Sequence, residues 1–301
     1  MYQTILVPLD GSTFAEAALP LALTLSRHAE ARVHVVTVLE PVTSFAYEGW
    51  ESAAEEWGRD YLDALVHRIT DHAGGDVTSS LAHGHTVDSI HEESVGCDAD
   101  VVVMASHGRG MLSRLWLGSV ADGFVRHSER PVIVVRPEEG SEEAPETFDF
   151  AFGTLLVPLD GSELSEGALH YAVEFGDLFD SAYHLTRIVP FPFETSAYLP
   201  YTAQMNQATV DEAKRSAADY LEARADRLRK RGRSVTTSVA VDPQPGRGVL
   251  SEAAAVGADM IAMATHGRGG WRRAVLGSTA DKVLRGTHMP LLLFRSPDQA
   301  D

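Results

Sequence analysis

The chain has 301 residues, a length that suggests two domains, and its 44% hydrophobic and 23% charged residues exclude a disordered or fibrous polymer. Twenty-five Lys and Arg against 43 Asp and Glu give a net charge of −18, which argues against nucleic acid and anionic membranes as partners. Cys97 is the only cysteine, so intrachain disulfides and thiolate zinc clusters are excluded and a reducing cytoplasm is expected.

In chain order, Ile5–Leu9 reads as a short apolar strand, followed by a turn at Asp10–Ser12. The opening stretch, MYQTILVPLDGS, has an acid and no base, so it does not read as a secretory signal. A helix follows with Phe14, Ala18, Leu21 and Leu25 on one face, and Pro20 is expected to kink it. This longest apolar run, Ala17–Leu25, is too short to cross a bilayer. Next come a strand at Val33–Leu39, a polar-faced helix near 47–72, a strand near 77–82 and a helix near 87–95. Val101–Met104 and Val132–Val135 are further strands, separated by a glycine-rich loop and a helix beginning near Ser119. Five strands alternating with four helices predict an α/β domain: an open parallel sheet, doubly wound, with helices on both faces.

The pattern then repeats. Residues 4–12, TILVPLDGS, match 154–162, TLLVPLDGS, at an offset of 150; ADVVVMASHGRG at 99–110 matches ADMIAMATHGRG at 258–269 at an offset of 159. A growing offset means a duplicated unit whose second copy is nine residues longer in its middle, around FPFETSAYLPYTAQMNQ. The second helix keeps the spacing Leu164, Ala168, Tyr171, Phe175 without a proline. Strands at His184–Val189, near 235–241, Met260–Met263 and Leu291–Phe294 complete that copy, with helices near 204–231, near 247–256 and from about Ser278. The domains are expected at 1–137 and 152–297, joined by an acidic linker at 138–151 that holds Glu138, Glu139, Glu142, Glu143, Glu146 and Asp149. Charge is uneven: residues 1–150 carry 9 basic and 25 acidic side chains (−16), the remainder 16 and 18 (−2).

In an open parallel sheet, ligands bind at the carboxyl ends of the strands, where the strand order reverses. Two loops per domain have the composition for such a crevice. One is Asp10–Gly11–Ser12, repeated as Asp160–Gly161–Ser162; the other runs Ser106–His107–Gly108–Arg109–Gly110, repeated as Thr265–His266–Gly267–Arg268–Gly269. Gly118–Ser119 and Gly277–Ser278–Thr279 then open the next helix, where amides and hydroxyls suit a phosphate. Asp10 and Asp160 are also suited to turns and helix caps. His107 and His266 read as turn residues rather than catalysts, and Arg109 and Arg268 either reach a terminal phosphate or lie solvated. His83 and His85 on one strand face, with Asp88, His91 and Glu92 on one helix face, have spacings that could build a metal site, but without Cys or a His-Glu-x-x-His pattern the signal is weak and a solvated strand end is the favoured reading.

These features resemble the universal stress protein family in its tandem form, whose nucleotide-binding members carry Gly-x2-Gly-x9-Gly-(Ser/Thr) after strand 4. Here the pattern is Ala105-x2-Gly108-x9-Gly118-Ser119 and Ala264-x2-Gly267-x9-Gly277-Ser278, so the first glycine is alanine twice. Such an alanine costs on the order of 1 kcal/mol or more at φ > 0 and little otherwise. The resemblance implies strand order 3-2-1-4-5 in each domain and an ATP site in one or both. Asp10 and Asp160 would lie near ribose and adenine, and the backbones of Val38 and Ile188 at the adenine edge. Gly108, Arg109, Gly267 and Arg268 would lie along ribose and phosphates, and Gly118, Ser119, Gly277, Ser278 and Thr279 would hold the phosphate chain. Mg²⁺ is expected with the nucleotide, since none of the three lysines, Lys214, Lys230 and Lys282, lies in a motif loop. No Gly-x-Ser-x-Gly elbow or Walker Gly-Lys-(Ser/Thr) is present, so hydrolysis is expected to be slow at most. The expected function is a cytoplasmic stress-response regulator that switches conformation or a protein partner of unknown identity. A nucleotide-free dimerisation scaffold is the alternative. The closing strands are expected at sheet edges and to support a dimer of tandem chains.

Overall fold

The computed structural model describes residues 2–41, 49–73, 76–106, 118–136, 150–190, 200–265 and 276–295. The chain divides into two compact units, Met1–Phe150 and Ala151–Asp301. The acidic stretch 138–149 and the first part of the second-copy insertion, 191–199, lie outside the described residues.

The first unit runs β1 (Thr4–Pro8), α1 (Thr13–Glu16), α2 (Leu19–Ala29), β2 (Arg32–Leu39), α3 (Trp50–Ala73), β3 (Val77–His83), α4 (Thr86–Gly96), β4 (Val101–Ala105), α5 (Ser119–His127) and β5 (Val132–Val135). Its sheet has the order β3-β2-β1-β4-β5, every pair parallel. The second unit repeats this with β6 (Thr154–Pro158), α6 (Glu163–Gly176), β7 (Ala182–Val189), α7 (Pro200–Arg229), β8 (Val235–Val241), α8 (Pro245–Val256), β9 (Met260–Ala264), α9 (Ser278–Gly286) and β10 (Leu291–Phe294). Its order is β8-β7-β6-β9-β10, again parallel throughout. Both are therefore the doubly wound order 3-2-1-4-5. The central strands are covered on both faces, which is why they read as unbroken apolar runs: Ile5, Leu6, Val7, Val101, Val102 and Val103 are all fully buried.

One element differs from the sequence expectation. The helix after β1 is not kinked but divided, into α1 and α2, whereas α6 is continuous over the matching stretch. Pro20 has no N–H to give the carbonyl of Glu16, so the chain closes α1 with tight turns, Ala17 N–H to Phe14 O and Ala18 N–H to Ala15 O. Pro20 then sits in the first turn of α2, where a missing N–H does no harm.

Candidate functional site

The first strand of each unit stops at its last ladder bond, from Leu9 N–H to Val36 O and from Leu159 N–H to Thr186 O, both 2.8 Å. The chain then turns over an aspartate. Asp10 Oδ1 accepts from Ser12 N–H at 2.9 Å and from Ser12 Oγ at 2.6 Å, and Asp160 Oδ1 accepts from Ser162 at the same two distances. The serine hydroxyl in turn accepts from Ala15 N–H, or Ser165 N–H, at 3.2 Å and caps the next helix. Gly11 at φ 79° and Gly161 at φ 85° occupy the left-handed region this turn requires. Both aspartates are thus turn residues, with one carboxylate oxygen committed and the group held rigidly at the carboxyl end of the sheet.

The second loop leaves β4 and β9 beside that turn. Ser106 N–H donates to Val135 O and Gly118 N–H returns to Ser106 O at 2.7 Å; Thr265, Phe294 and Gly277 repeat the arrangement at 2.8 Å. Each loop therefore begins and ends at one point, and Gly118 and Gly277 are the N-caps of α5 and α9. Their φ,ψ values, −57°,145° and −59°,144°, are open to any residue, so the backbone conformation does not require glycine there. Ser119 and Ser278 are exposed in the first helical turn, with Thr279 beside Ser278. Gly108, Arg109, Gly267 and Arg268, with His107 and His266, lie outside the described residues. Ala105 and Ala264 end their strands in register with Val135 and Phe294 and have no positive φ, so alanine strains neither backbone. Ala264 packs with Ala168 and Phe294 in an apolar cluster flanked by Leu164 and Tyr171.

Val38 and Ile188 complete the crevice by parity. Along a strand, alternate residues direct their N–H and C=O to the same side. Val36 O meets β1, so Val38, two residues on, directs its backbone groups to the side β1 has just vacated; Leu39 O faces the other way, accepting from Gly84 N–H. Thr186, Ile188 and Val189 repeat this, with Val189 O accepting from Asp242 N–H. The described site residues of each unit therefore converge on one end of the sheet, around the junction of its first and fourth strands.

The sequence profile of the universal stress protein family matches residues 1–136 and 151–295. The chain belongs to the universal stress protein family. A universal stress protein of Mycobacterium tuberculosis is 28% identical over 256 residues, covering 82% of this chain and 80% of that one. A second from the same organism is 26% identical over 321 residues, covering 97% and 95%. The crystal structure of a universal stress protein from Archaeoglobus fulgidus has the same fold, with a TM-score of 0.71, 19% identity and coverage of 99% of this chain and 97% of that one. No described helix is long and apolar enough to cross a membrane.

Both universal stress units also contain polar clusters that motif reading missed. Glu16 of α1 is buried; it accepts from Tyr61 Oη of α3 at 3.0 Å and pairs with Arg68. In the second unit Glu166 Oε1 accepts from Tyr220 Oη at 3.2 Å and from Arg224 Nε at 3.0 Å. Burial chiefly, with the Glu16 carboxylate next, pushes the Tyr61 phenol far above its ordinary pKa. A second network ties β2, β3 and α4: His34 Nδ1 meets Thr78 Oγ1 at 2.8 Å, and Nε2 meets Ser80 Oγ at 3.0 Å and Glu93 Oε1 at 2.8 Å. Its repeat joins His184 to Thr236 at 2.8 Å and Ser238 at 2.9 Å, but Glu252 stands 3.9 Å away and is bridged by Ser238. Burial holds the His184 pKa below its ordinary value, opposed by Glu252. The signal for both was the repeat itself: Glu16 to Glu166 and His34 to His184 are spaced by 150, Tyr61 to Tyr220 and Glu93 to Glu252 by 159. His83, by contrast, is exposed and faces Glu55 at 3.5 Å, and no metal-holding group of three such side chains occurs among the described residues.

Proposed function

We propose that this protein is an adenine-nucleotide-binding regulator, with one ATP site per unit at the carboxyl ends of β1 and β4 and of β6 and β9. The observation that carries this reading is the duplicated N-cap, where Gly118 and Gly277 sit in conformations that need no glycine, each hydrogen-bonded back to Ser106 or Thr265 at the end of the preceding strand. Such an N-terminus, lacking a side chain and flanked by the hydroxyls of Ser119 or of Ser278 and Thr279, suits a phosphate chain. Asp10 and Asp160 then face the ribose, Val38 and Ile188 offer backbone groups to the adenine edge, and Ala105 and Ala264 form the floor. Gly108, Arg109, Gly267 and Arg268 take the ribose and phosphates. Mg²⁺ fits this donor set, because amides and hydroxyls bind phosphate oxygens without neutralising them; the ion supplies that charge when bound. The protein acts by switching conformation or partner in the cytoplasm, as a dimer of tandem chains, and a strictly monomeric mass by light scattering at micromolar concentration refutes the dimer.

A nucleotide-free scaffold is favoured by one observation, that turn and cap bonds already account for Asp10 and Asp160. Heat release of small molecules from the purified protein, with Mg-ATP titration of wild type and of the Gly118→Val/Gly277→Val double variant, separates the two. Nucleotide that is released or titrated by wild type and lost in the variant supports the regulator. No binding at millimolar Mg-ATP supports the scaffold.

A further inference from the structure

We propose that the carboxyl-terminal turn of α7 is a docking surface for the acidic first unit of a second copy of this chain. It concentrates positive charge in a protein of net charge −18: residues 224–233 hold six of the 25 basic side chains and one acid, Asp226. The cluster is absent from the first copy's sequence, where Asp71 and His72 stand 159 residues before Lys230 and Arg231. Three of the six cations are used within the unit: Arg224 pairs with Glu166, Arg229 with Glu222 and Asp226, and Arg233 with Asp177. Those bonds also fix the turn. Gly232, at φ 84°, gives its N–H to Arg229 O and Arg233 N–H reaches back to Leu228 O, the pair of bonds that closes a helix over a left-handed glycine. Arg229 Nε donates to Val235 O at 3.0 Å. Arg227, Lys230 and Arg231 remain, all exposed, and none has an ionic partner among the described residues.

The chain itself carries the matching anionic surface. Residues 1–150 sum to −16. In α3 the acids Glu56, Asp60 and Asp63 follow at i, i+4 and i+7, so they form one stripe along the helix. That stripe is turned away from Leu62, Leu65 and Ile69, which are buried. Its three carboxylates are exposed and have no ionic partners among the described residues. Trp57, 40% exposed, borders the stripe and adds apolar area to the charge. Three cations on a fixed turn thus match three carboxylates spread over two helical turns. Both surfaces lie away from the crevice and the closing strands of their own units. α7 packs on β7 and β8 and α3 on β2 and β3, at the far side of each sheet from β10 or β5. Because α7 leads into the amino end of β8, its last turn is at the opposite end of the sheet from the crevice. Repulsion between two chains of −18 is largely screened beyond about 10 Å in about 0.1 M salt, whereas ion pairs formed in contact fall within that length.

The test is sedimentation velocity of the full chain over a concentration series, in about 0.1 M and about 0.5 M salt. Wild type is expected to self-associate about tenfold more strongly at the lower salt, the combined size of three exposed ion pairs. Arg227→Gln/Lys230→Gln/Arg231→Gln loses that salt-dependent part, as do the reversals Arg227→Glu/Lys230→Glu/Arg231→Glu and Glu56→Lys/Asp60→Lys/Asp63→Lys. Joining the two reversals in one chain exchanges the signs and brings association back to near the wild-type level. All six side chains are exposed, so the variants keep the fold, which circular dichroism and Tm verify. Cations at a helix end also favour its dipole, and a role confined to that lowers Tm without changing association; this result overturns the inference. So does association indifferent to salt or to either reversal, which leaves a dimer through the closing strands standing. Failure of the joined reversals to restore association overturns it as well, since the partner surface then lies elsewhere. Salt-sensitive binding of a single-stranded RNA oligonucleotide through Arg227, Lys230 and Arg231, in a chain that does not self-associate, assigns the turn to nucleic acid instead.

Discussion

Replacing Ser162 by alanine tests whether the aspartate turn is held as the structure implies. Two bonds disappear: the hydroxyl no longer accepts from Ser165 N–H at 3.2 Å and no longer donates to Asp160 Oδ1 at 2.6 Å. Loss of a serine N-cap costs typically about 1 kcal/mol. The hydroxyl–carboxylate bond is charge-assisted but only part-buried, so it adds roughly 1 kcal/mol rather than the upper end of its range. Asp160 keeps the backbone bond from Ser162 N–H at 2.9 Å, so the turn loosens without being lost. The total, about 2 kcal/mol, corresponds to a fall in Tm of roughly 4–8 °C for a domain of this size. Denaturant unfolding and calorimetry of Ser162→Ala measure it, with Ser162→Thr as the variant that retains the cap. On the proposed nucleotide reading, Mg-ATP affinity of the second unit falls in parallel, while that of the first unit, whose turn is built on Asp10 and Ser12, does not change. A loss under about 0.5 kcal/mol in Ser162→Ala, or an equal loss in Ser162→Thr, refutes the reasoning.

Three further outcomes are expected. Gly161→Ala places a side chain at φ 85° and costs about 1–2 kcal/mol by denaturant midpoint, whereas a glycine serving only as a spacer tolerates alanine within a few tenths. Gly176→Ala sets a Cβ 2.6 Å from Tyr183 Oη and 2.9 Å from two of its ring carbons; the ring is 1% exposed and its hydroxyl bonds to Val173 O at 3.1 Å. The strain is worth roughly 1–3 kcal/mol, and Tyr183→Phe in the same chain relieves part of it, so strict additivity of the two changes contradicts the packing. His184 has a folded pKa below its unfolded value because burial disfavours the imidazolium. Below pH 6.5 the unfolded chain therefore binds the proton that the folded chain declines, so stability falls as pH drops through the window beneath that value. His184→Asn flattens this part of the pH–stability curve, and an unchanged slope, or an NMR titration of His184 above its ordinary midpoint, disproves the assignment.

Much of this protein was legible in its sequence because the relevant signals are local. Apolar runs of four or five residues mark strands buried on both faces, and the two offsets, 150 and 159, expose the duplication. The sequence places helices beginning near Ser119 and Ser278, and α5 and α9 start there, directly after Gly118 and Gly277. Tertiary structure alone decided the rest. Whether Ala105 and Ala264 are strained depends on the sign of φ, and that is set by their ladders with Val135 and Phe294 rather than by their neighbours in the chain. Pro20 announces a disturbance, but tight turns at Ala17 and Ala18 make it a break instead of a bend. The clusters of Glu16 with Tyr61, 45 residues away, and of His34 with Glu93, 59 residues away, have no local mark at all. A lone glutamate or histidine looks the same in sequence whether it faces water or a partner. Only the parallel crossover, which carries the chain across a sheet face and back before two such residues meet, determines which of them are buried together.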